Sequence, residues 1–336
     1  MTLAYNDAKP ATVIRISAAM IEVQRVIERV ARGTCSVLVL GETGTGKELV
    51  ARELHERSLR SDGPLQIVNC AALPESLVES ILFGHVRGAF TGADCDRRGV
   101  FELARGGMLF LDEVGELTPS AQAALLRVLD GGSVRPIGGA KEIAVDVRVV
   151  AATHRDLAAM VSEGRFRLDL FHRLNVFSIR LPPLRERREE IPALAEHFLV
   201  RFAQSMGSSV SRIGVGTMAL MLNHDWPGNV RELRNAVEHA VTLAEGTTLG
   251  VEELPETIRG SNPSQRTVLE ASVAAAASAG SNEPRGLRAL LRDHEARLIH
   301  AALQSTNGNQ RQAAELLEVP LRTLERKLAT LGQRPD

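Results

Sequence analysis

The sequence predicts an α/β protein with a parallel sheet, followed by segments that are entirely helical. Short β-branched runs alternate with helical patterns in the first half of the chain. Such alternation is typical of a mainly parallel sheet with helices on both faces. From Pro182 onward the strand pattern stops, and residues 188–256 and 286–331 predict helices only. A stretch rich in Ser, Ala, Gly and Pro lies between these helical parts and predicts a flexible linker.

Five apolar runs predict the strands of the sheet. They are Ser36–Leu40, Leu65–Cys70, Met108–Leu111, Val145–Ala151 and Val176–Leu181. Helical patterns between them cover residues 46–59, 75–82 and 119–130. The predicted order is therefore an α/β core, a small helical lid, a linker and a helical tail.

Composition restricts the class of protein. The chain has 336 residues, 44% hydrophobic and 24% charged, which predicts a folded protein of two or three domains and excludes a disordered or collagen-like chain. Cys35, Cys70 and Cys95 are widely spaced and form no CxxC, so neither a zinc site nor a disulfide framework is expected. No signal peptide or apolar run of about 18 residues is present, which predicts a cytoplasmic protein without a membrane partner. The net charge of -1, taken alone, argues against a nucleic-acid partner.

A glycine-rich loop after the first predicted strand indicates a nucleotide phosphate site. The loop consists of Gly41, Glu42, Thr43, Gly44, Thr45, Gly46, Lys47 and Glu48. Glycines allow such a loop to curl so that its N–H groups face an anion at the start of the next helix. Lys47 is placed to reach the β- and γ-phosphates, whereas Glu48 stands where Ser or Thr usually helps to hold Mg²⁺. The alternative is an ordinary strand-to-helix turn with a chance lysine.

Two adjacent acids end the apolar run at residues 108–111. In a phosphate-loop ATPase, the first acid, Asp112, holds Mg²⁺ and the second, Glu113, polarises the attacking water. Alone, the pair could simply cap the next turn. Downstream of the phosphate loop, with one predicted strand between them, the pair predicts ATP hydrolysis.

A third motif makes the assignment specific. Residues 88–93 read GAFTGA, a small-residue loop with one aromatic side chain, Phe90, and one hydroxyl, Thr91. Together with GETGTGKE and FLDE, this loop resembles the sigma-54-dependent transcriptional activators, bacterial enhancer-binding proteins of the AAA+ class. The resemblance covers residues 14–257 and resumes at 286–331. It implies that Phe90 and Thr91 contact sigma-54, and that the glutamate after Lys47 is usual for the family.

The resemblance also implies roles for four further residues. Asn69 would be the switch asparagine that holds Glu113 until hydrolysis, and Arg167 and Arg173 would reach into a neighbouring subunit's nucleotide site as arginine fingers. Arg231, in the first turn of a lid helix, would meet the γ-phosphate. Such fingers imply a ring, a hexamer as in the family. In the sequence alone, Asn229 and Glu232 have the spacing of a helix capping box.

One position departs from the family pattern. After the fourth predicted strand the chain has Thr153-His154, where the family usually has asparagine in place of the histidine. Thr153 is expected to retain the function of the first nucleotide sensor. Imidazole offers a single donor or acceptor at each nitrogen, which distinguishes it from an amide.

The tail predicts a DNA-binding domain. Residues 309–331 predict a helix, a tight turn and a second helix whose leucines repeat on one face. Four side chains lie on the outer face of the second helix: Arg322, Thr323, Arg326 and Lys327. The segment resembles the Fis-type helix-turn-helix that ends this family, and a helical hairpin with a solvated basic face is the alternative. Residues 285–336 carry nine Lys and Arg against six Asp and Glu, so the neutral whole-chain charge conceals a basic tail.

These observations predict a division of the chain and a function. The predicted parts are an N-terminal tail (1–13), an α/β ATPase subdomain (14–183), a helical lid (184–257), a linker (258–285) and a helix-turn-helix domain (286–336). The expected function is activation of sigma-54 RNA polymerase, driven by ATP with Mg²⁺, from an upstream site on double-stranded DNA. Because the core begins near residue 14, control in trans is also expected, either by a partner protein or by the level of expression.

Two other functions remain open from the sequence. One is a different AAA+ remodelling ATPase. The other is a DNA-binding repressor whose nucleotide site does not hydrolyse ATP.

Overall fold

The computed structural model describes residues 15–260, 306, 309–316 and 324. The chain divides into two compact units, Met1–Arg266 and Thr267–Asp336. Within the described residues, no helix is both long and apolar enough to span a membrane.

A five-stranded parallel sheet forms the centre of the first unit. Its strands are β1 (Val37–Leu40), β2 (Leu65–Asn69), β3 (Met108–Asp112), β4 (Arg148–Thr153) and β5 (Phe177–Arg180). They lie in the order β2-β3-β4-β1-β5, and every pair is parallel. The predicted α/β fold with a parallel sheet is therefore confirmed.

Helices cover both faces of the sheet because alternate strand residues point to opposite sides. In β3, Met108 and Phe110 belong to the core that includes Ile27 of the first helix. Leu109 and Leu111 belong to the opposite core. The helices of this α/β part are α1 (Ala18–Ala31), α2 (Lys47–Glu56), α3 (Glu75–Phe83), α4 (Val100–Leu103), α5 (Pro119–Gly131), α6 (Leu157–Ser162) and α7 (Leu168–Leu174).

A separate apolar core forms the lid that follows β5. Its helices are α8 (Ile191–Met206), α9 (Val215–Asn223), α10 (Asn229–Leu243) and α11 (Glu256–Arg259). Trp226 is fully buried in this core, and its indole Nε1 donates to the carbonyl of Met221 at 2.8 Å. Burial of the only tryptophan in the chain fixes the turn that begins α10.

The described part of the first unit also contains three pairs of two-residue strands. Gly84–His85 pairs antiparallel with Arg97–Arg98, and Ser133–Val134 pairs antiparallel with Ile143–Ala144. In the lid, Arg212–Ile213 pairs in parallel with Thr248–Leu249. The expectation of helices alone after Pro182 was therefore wrong on this point, since two-residue strands are too short to leave a period-2 pattern in a sequence.

The fourth strand was also placed too early. The sequence predicted Val145–Ala151, whereas β4 spans Arg148–Thr153. The N–H of Val145 donates instead to the carbonyl of Gly132, at the base of the preceding hairpin. Arg148 then begins the strand although it is almost fully buried, because its guanidinium donates to the carbonyls of Val30 and Cys35.

Few residues of the second unit are described. Helix α12 spans Gln310–Leu316, and Asn309 caps it by accepting the N–H groups of Arg311 and Gln312 at 3.2 and 3.3 Å. Ala314 and Leu324 are 3% and 0% exposed, as the predicted inward faces require. The predicted DNA-binding residues Arg322, Thr323, Arg326 and Lys327 lie outside the described residues.

Candidate active site

The carboxyl ends of three neighbouring strands bring the predicted nucleotide residues together. Strand β1 leads into the glycine-rich loop, β3 ends at Asp112, and β4 ends at Thr153. Because β4 lies between β1 and β3, these ends are adjacent. The N–H of Gly41 donates to the carbonyl of Thr153 at 3.3 Å, which joins the loop to the end of β4.

Lys47 lies at the centre of this edge, in the first turn of α2. Its ammonium Nζ donates to the carbonyl of Gly41 at 3.0 Å and to Oε1 of Glu113 at 3.1 Å. The Lys47 side chain is 6% exposed and that of Glu113 is 12% exposed. The positive end of the α2 dipole and the buried ammonium together favour an anion here.

Glu113 is held on both of its carboxylate oxygens. Oε2 accepts the backbone N–H of His154 at 3.2 Å and lies 2.7 Å from Nδ1 of the same residue. Burial raises the pKa of Glu113, but hydrogen bonds from His154 and Lys47 outweigh burial, so the pKa lies below its ordinary value. The carboxylate is therefore ionised at neutral pH, as a general base must be.

Asp112 directly precedes Glu113, and Glu113 has a left-handed backbone conformation. Glu113 has φ 53°, which is uncommon for a residue other than glycine, and its N–H donates to Oδ1 of Asp112 at 3.1 Å. Burial, together with the charge of Glu113, raises the pKa of Asp112.

The donor set at Asp112 fits Mg²⁺ bound with a nucleotide. Magnesium is usually held by one or two carboxylates together with substrate phosphates. Among the described residues, no group of three or more His, Cys, Asp or Glu side chains could hold a metal ion by itself. A single aspartate at the phosphate edge of the sheet meets the requirement of Mg²⁺ but not that of a protein-only metal site.

Asn69 lies beside Asp112 but is engaged elsewhere. The two residues are paired in register at the ends of β2 and β3. The side-chain Oδ1 of Asn69 accepts the N–H of Ala71 at 2.9 Å and so caps a short 3₁₀ turn. The switch role would pair Asn69 with Glu113. In this structure Asn69 instead contacts Ala71, and Glu113 instead contacts His154.

The lid lies directly against the glycine-rich loop. Gly44 has φ 82°, and a Cβ added there would lie 2.2 Å from the carbonyl oxygen of Gly228, so only glycine fits. The N–H of Val230 donates to the carbonyl of Gly44 at 3.1 Å. Arg231 is exposed in the first turn of α10, beside the same glycine.

Asn229 makes most of the contact between lid and loop. It is fully buried with φ 53°, and its Nδ2 lies 3.1 Å from both Glu42 Oε2 and the carbonyl of Thr43. Its Oδ1 accepts the N–H of Leu184 at 2.7 Å. The predicted capping box was therefore wrong in part, because Gly228 is the N-cap of α10 and the Asn229 side chain turns to the loop. Glu232 does accept the N–H of Gly228, at 2.7 Å.

Two ion pairs reinforce this boundary. Arg185 donates to both oxygens of Glu42, at 2.6 and 2.9 Å, and these hydrogen bonds lower the pKa of Glu42. Arg187 is buried, donating to the carbonyl of Thr45 at 2.9 Å and to Glu190 at 3.3 Å. Arg185 and Arg187 thereby attach the segment between β5 and α8 to the glycine-rich loop, at Glu42 and at Thr45.

Glu190 extends this network to the start of the described chain. It is fully buried and its Oε1 accepts the N–H groups of Ile16 and Ser17 and the hydroxyl of Ser17. Sequence reasoning missed this role, because Glu190 stands in a charged run of the kind that usually lies on a solvated surface. Glutamate is almost never fully buried unless it is paired, so the role of Glu190 becomes evident once its burial is known.

The remaining loop residues have local partners. The buried hydroxyl of Thr45 donates to the carbonyl of Glu42 at 2.7 Å, and Gly46, with φ 104°, is the N-cap of α2. Glu48 is exposed and pairs with Arg52 one turn later at 2.7 Å.

Of the two predicted arginine fingers, Arg167 is the N-cap residue of α7 and Arg173 lies in the last turn of that helix. Arg167 pairs with Asp169, and Arg173 donates to the carbonyl of Leu129 at 2.7 Å and pairs with Asp130. Both guanidinium groups are about half exposed. Their own chain's described contacts thus hold them at the surface, outside the Lys47–Glu113 site.

The GAFTGA loop forms an exposed turn between two glycines. Gly88 and Gly92 have φ values of 81° and 96°, and an added Cβ would meet no heavy atom within 4 Å at either position. Phe90 is 36% exposed and one edge of its ring meets the ring of His85, with the centroids 5.0 Å apart. Thr91 is exposed at the tip. The two-residue strands at 84–85 and 97–98 close the base of the loop.

Comparison with family models covers most of the chain. Residues 13–180 match the sigma-54 interaction domain, residues 185–271 match the AAA+ ATPase lid domain, and residues 290–331 match the Fis family of bacterial regulatory proteins.

Curated relatives include a transcriptional regulatory protein and a nitrogen fixation protein. The chain is 48% identical over 313 residues to the transcriptional regulatory protein ZraR of Salmonella typhimurium, covering 93% of this chain and 67% of ZraR. It is 48% identical over 318 residues to the nitrogen fixation protein VnfA of Azotobacter vinelandii, covering 94% of this chain and 58% of VnfA. The chain thus spans about two thirds or less of the length of these relatives.

Solved structures show the same architecture. NtrX from Brucella abortus in complex with ADP matches with a TM-score of 0.71 and 34% identity, covering 96% of this chain and 70% of NtrX. NtrX in complex with ATP matches with the same TM-score and coverage.

Proposed function

The chain belongs to the family of sigma-54-dependent transcriptional activators, and on this premise we propose that it hydrolyses ATP to remodel sigma-54 RNA polymerase from an upstream DNA site. The family has an AAA+ ATPase domain and a DNA-binding helix-turn-helix. This membership favours activation over the two alternatives, a different remodelling ATPase and a repressor that does not hydrolyse ATP.

The proposed reaction is attack of water on the γ-phosphate of ATP. Lys47 leaves Glu113 to bind the β- and γ-phosphates, and Glu113 then accepts the proton of the attacking water. Asp112 would hold Mg²⁺, and the ion, when bound, would supply positive charge against the charge that develops on the γ-phosphate. The 3.1 Å contact between Lys47 and Glu113 supports this assignment, since it places the phosphate-binding cation beside the base.

The exposed turn at Phe90 is the observation that carries the sigma-54 assignment. A large aromatic side chain that is 36% exposed, between two left-handed glycines, is suited to enter an apolar pocket of a partner. The strand pair at its base directly follows α3, and α3 follows β2, which ends beside Asp112 at the nucleotide edge of the sheet. We propose that a change at the nucleotide reaches the loop through these elements.

The Phe90→Ala variant tests this proposal. We expect unchanged ATP hydrolysis and loss of binding to purified sigma-54 by about 2 kcal/mol, the scale of an aromatic hot spot. Leu59→Ala is the matched control, because Leu59 is also apolar and is 83% exposed far from the loop in sequence. Sigma-54 binding by Phe90→Ala equal to that of the wild type would refute the assignment.

We further propose assembly into a ring, a hexamer as in the family, that functions in the cytoplasm with RNA polymerase. Leu168, Val176 and Phe177 are apolar and 55%, 58% and 36% exposed around α7. They flank Arg167 and Arg173, so a neighbouring subunit that buries these apolar side chains would receive both guanidinium groups. In that role Arg167 and Arg173 complete the neighbour's site in trans.

DNA binding is proposed for the second helix of the tail. Arg322, Thr323, Arg326 and Lys327 fall within the Fis-family match at residues 290–331. As a proposed phosphate contact, Arg326 contributes to the salt dependence of binding, so Arg326→Ala should weaken binding to an upstream site and reduce that dependence. Fluorescence anisotropy over a salt series measures both quantities.

A further inference from the structure

His154 stands beside the sensor residue Thr153, at the position where the family usually has asparagine. It follows β4 directly, and its side chain is 43% exposed. Two of its nitrogens, the backbone N and ring Nδ1, lie 3.2 and 2.7 Å from the same oxygen, Oε2 of Glu113. The other oxygen, Oε1, accepts from Lys47 at 3.1 Å. The two carboxylate oxygens therefore have different and separable partners.

We propose that His154 is a positioning residue that fixes Oε2 of Glu113 and so directs Oε1 toward the attacking water. The inference rests on the proposed role of Glu113 as general base. It assigns to this chain's histidine an orienting function that acts through the glutamate and requires no contact between His154 and the substrate.

The direction of Oε1 follows from the position of Lys47. The second hydrogen bond of Lys47 Nζ goes to the carbonyl of Gly41, at the start of the glycine-rich loop. Oε1 therefore faces the phosphate side of the site. When Lys47 binds phosphate it releases Oε1, whereas Oε2 retains both N–H donors of His154. The oxygen that becomes free is the one that faces the γ-phosphate.

The neighbouring polar side chains of Asn69 and Thr153 are engaged with other groups and do not hold Glu113. The side chain of Asn69 accepts the N–H of Ala71, and the buried hydroxyl of Thr153 accepts the N–H of Arg155 at 3.0 Å. The left-handed backbone at Glu113 fixes where its side chain begins. A donor on Oε2 then removes most of the remaining freedom of the carboxylate, which is the usual effect of a second hydrogen bond on a catalytic base.

Because an ionised carboxylate only accepts hydrogen bonds, Nδ1 must carry a proton. The inference thus specifies where the imidazole proton lies in the nucleotide-free protein.

Steady-state kinetics of the full chain test the positioning role. His154→Ala should lower kcat about 10-fold, the effect expected for loss of an orienting partner, with unchanged KM and unchanged affinity for a fluorescent ATP analogue. His154→Asn, which keeps an amide donor, should recover most of kcat. In a Glu113→Gln background, His154→Ala should have no further effect on kcat, which a merely structural role would not predict.

His239→Ala is the matched control. His239 lies on α10, is exposed, and also makes one contact through Nδ1, to the carbonyl of Glu253 at 3.0 Å. Its removal should leave kcat unchanged. The inference is overturned if His154→Ala has the kcat of the wild type, or if it lowers kcat to the same extent with Gln at position 113.

A spectroscopic measurement separates this inference from the proposed function. In NMR of isotope-labelled histidine rings, the His154 signals are identified by their loss in His154→Asn. Nδ1 should carry a proton in the wild type without nucleotide, and this preference should disappear in Glu113→Ala. A proton on Nε2 alone would overturn the inference, whether or not the protein hydrolyses ATP. Absence of hydrolysis by the wild type, with the Nδ1 proton present, would instead refute the proposed function.

Discussion

The amide of Asn229 donates to the carbonyl of Thr43 at 3.1 Å, across the boundary between the lid and the phosphate loop. The same side chain accepts the N–H of Leu184 at 2.7 Å and is fully buried. The position of the lid is thus fixed by a residue in a strained backbone conformation, with φ 53°.

Substitution of Asn229 should separate side-chain contacts from backbone strain. Asn229→Ala leaves the buried N–H of Leu184 without its partner, which costs about 1–3 kcal/mol of unfolding free energy. Asn229→Gly loses the same contacts but tolerates φ 53°, so it should be the more stable of the two by about 1 kcal/mol. Urea unfolding measures both variants. Asn235→Ala, at an exposed position of the same helix, should change stability by less than about 0.5 kcal/mol.

Glu113→Gln should separate hydrolysis from nucleotide binding. The amide keeps the size of the side chain but cannot accept a proton from water, so kcat should fall by at least about 100-fold. Nucleotide affinity should be retained, since Lys47 no longer faces a carboxylate charge. Phosphate release and titration with a fluorescent ATP analogue measure the two effects. Glu116→Gln, at a partly exposed acid that pairs with Arg155, should behave like the wild type, and equal kcat in both variants would contradict the prediction.

Complementation between inactive subunits should show whether the arginines act in trans. The Arg173→Ala variant retains its own Lys47–Glu113 site, and the Lys47→Ala variant retains both arginines. Assayed separately, each variant should hydrolyse ATP about 10³-fold more slowly than the wild type. A mixture should exceed the sum of the two separate preparations, because one subunit supplies the guanidinium to the other's intact site. The same experiment with Arg167→Ala tests the second arginine.

A matched control for this experiment is Arg165→Ala. Arg165 is half exposed and pairs with Glu163, so its removal should leave the rate of the wild type. If mixing restores no activity for either arginine, the assignment in trans is wrong.

Glu190 should be required for stability. It lies fully buried opposite Arg187 and accepts three hydrogen bonds from Ile16 and Ser17. Glu190→Ala leaves the Arg187 guanidinium buried without its counter-ion, which should cost about 3–5 kcal/mol of unfolding free energy. Glu189→Ala, at the exposed neighbouring position, should cost less than about 0.5 kcal/mol. Thermal and urea unfolding of the two variants would disprove the assignment if their stabilities were equal.

The cysteines should differ in reactivity and in their response to pH. Burial raises the pKa of Cys70 from 9.0 to about 12, whereas Cys95 is exposed. At pH near 8, a thiol reagent should label Cys95 rapidly and Cys70 only after unfolding. Cys95→Ser should remove the fast phase and Cys70→Ser should not; fast labelling of Cys70 in the folded protein would contradict the expected burial.

The same shift has a consequence for stability at high pH. The neutral thiol is favoured in the folded state, so its contribution to stability is complete below pH 9 and is lost as pH rises toward about 12. Cys70→Ala should therefore lose less stability than the wild type over this interval, as measured by urea unfolding at a series of pH values.

Some features of the site were predicted correctly from the sequence. Asp112 and Glu113 were expected at a strand end, and their strand ends there because the apolar run stops. The glycine-rich loop was expected between a strand and a helix, and it lies between β1 and α2. These features depend on neighbours in the chain, which a sequence displays directly.

Other residues depend on segments that are distant in the chain. His154 and Glu113 are 41 positions apart, and Glu190 and Ser17 are 173 apart. The sequence presents Glu190 as part of a charged surface run and Asn229 as a helix cap, whereas the fold buries both. Burial and hydrogen-bonding partners are properties of the packed chain, so a local pattern does not determine them.

The sequence by itself therefore determined the α/β fold with a parallel sheet, the phosphate loop, the acidic pair and the GAFTGA loop, because glycine spacing and strand periodicity are local. The tertiary structure decided the strand order β2-β3-β4-β1-β5, which brings His154 at the end of β4 to Glu113 at the end of β3. It also decided that Asn229 and Glu190 join the lid to the loop and to residues 16–17. The physical reason is that each of these contacts joins elements far apart in sequence, which come together only when the chain packs.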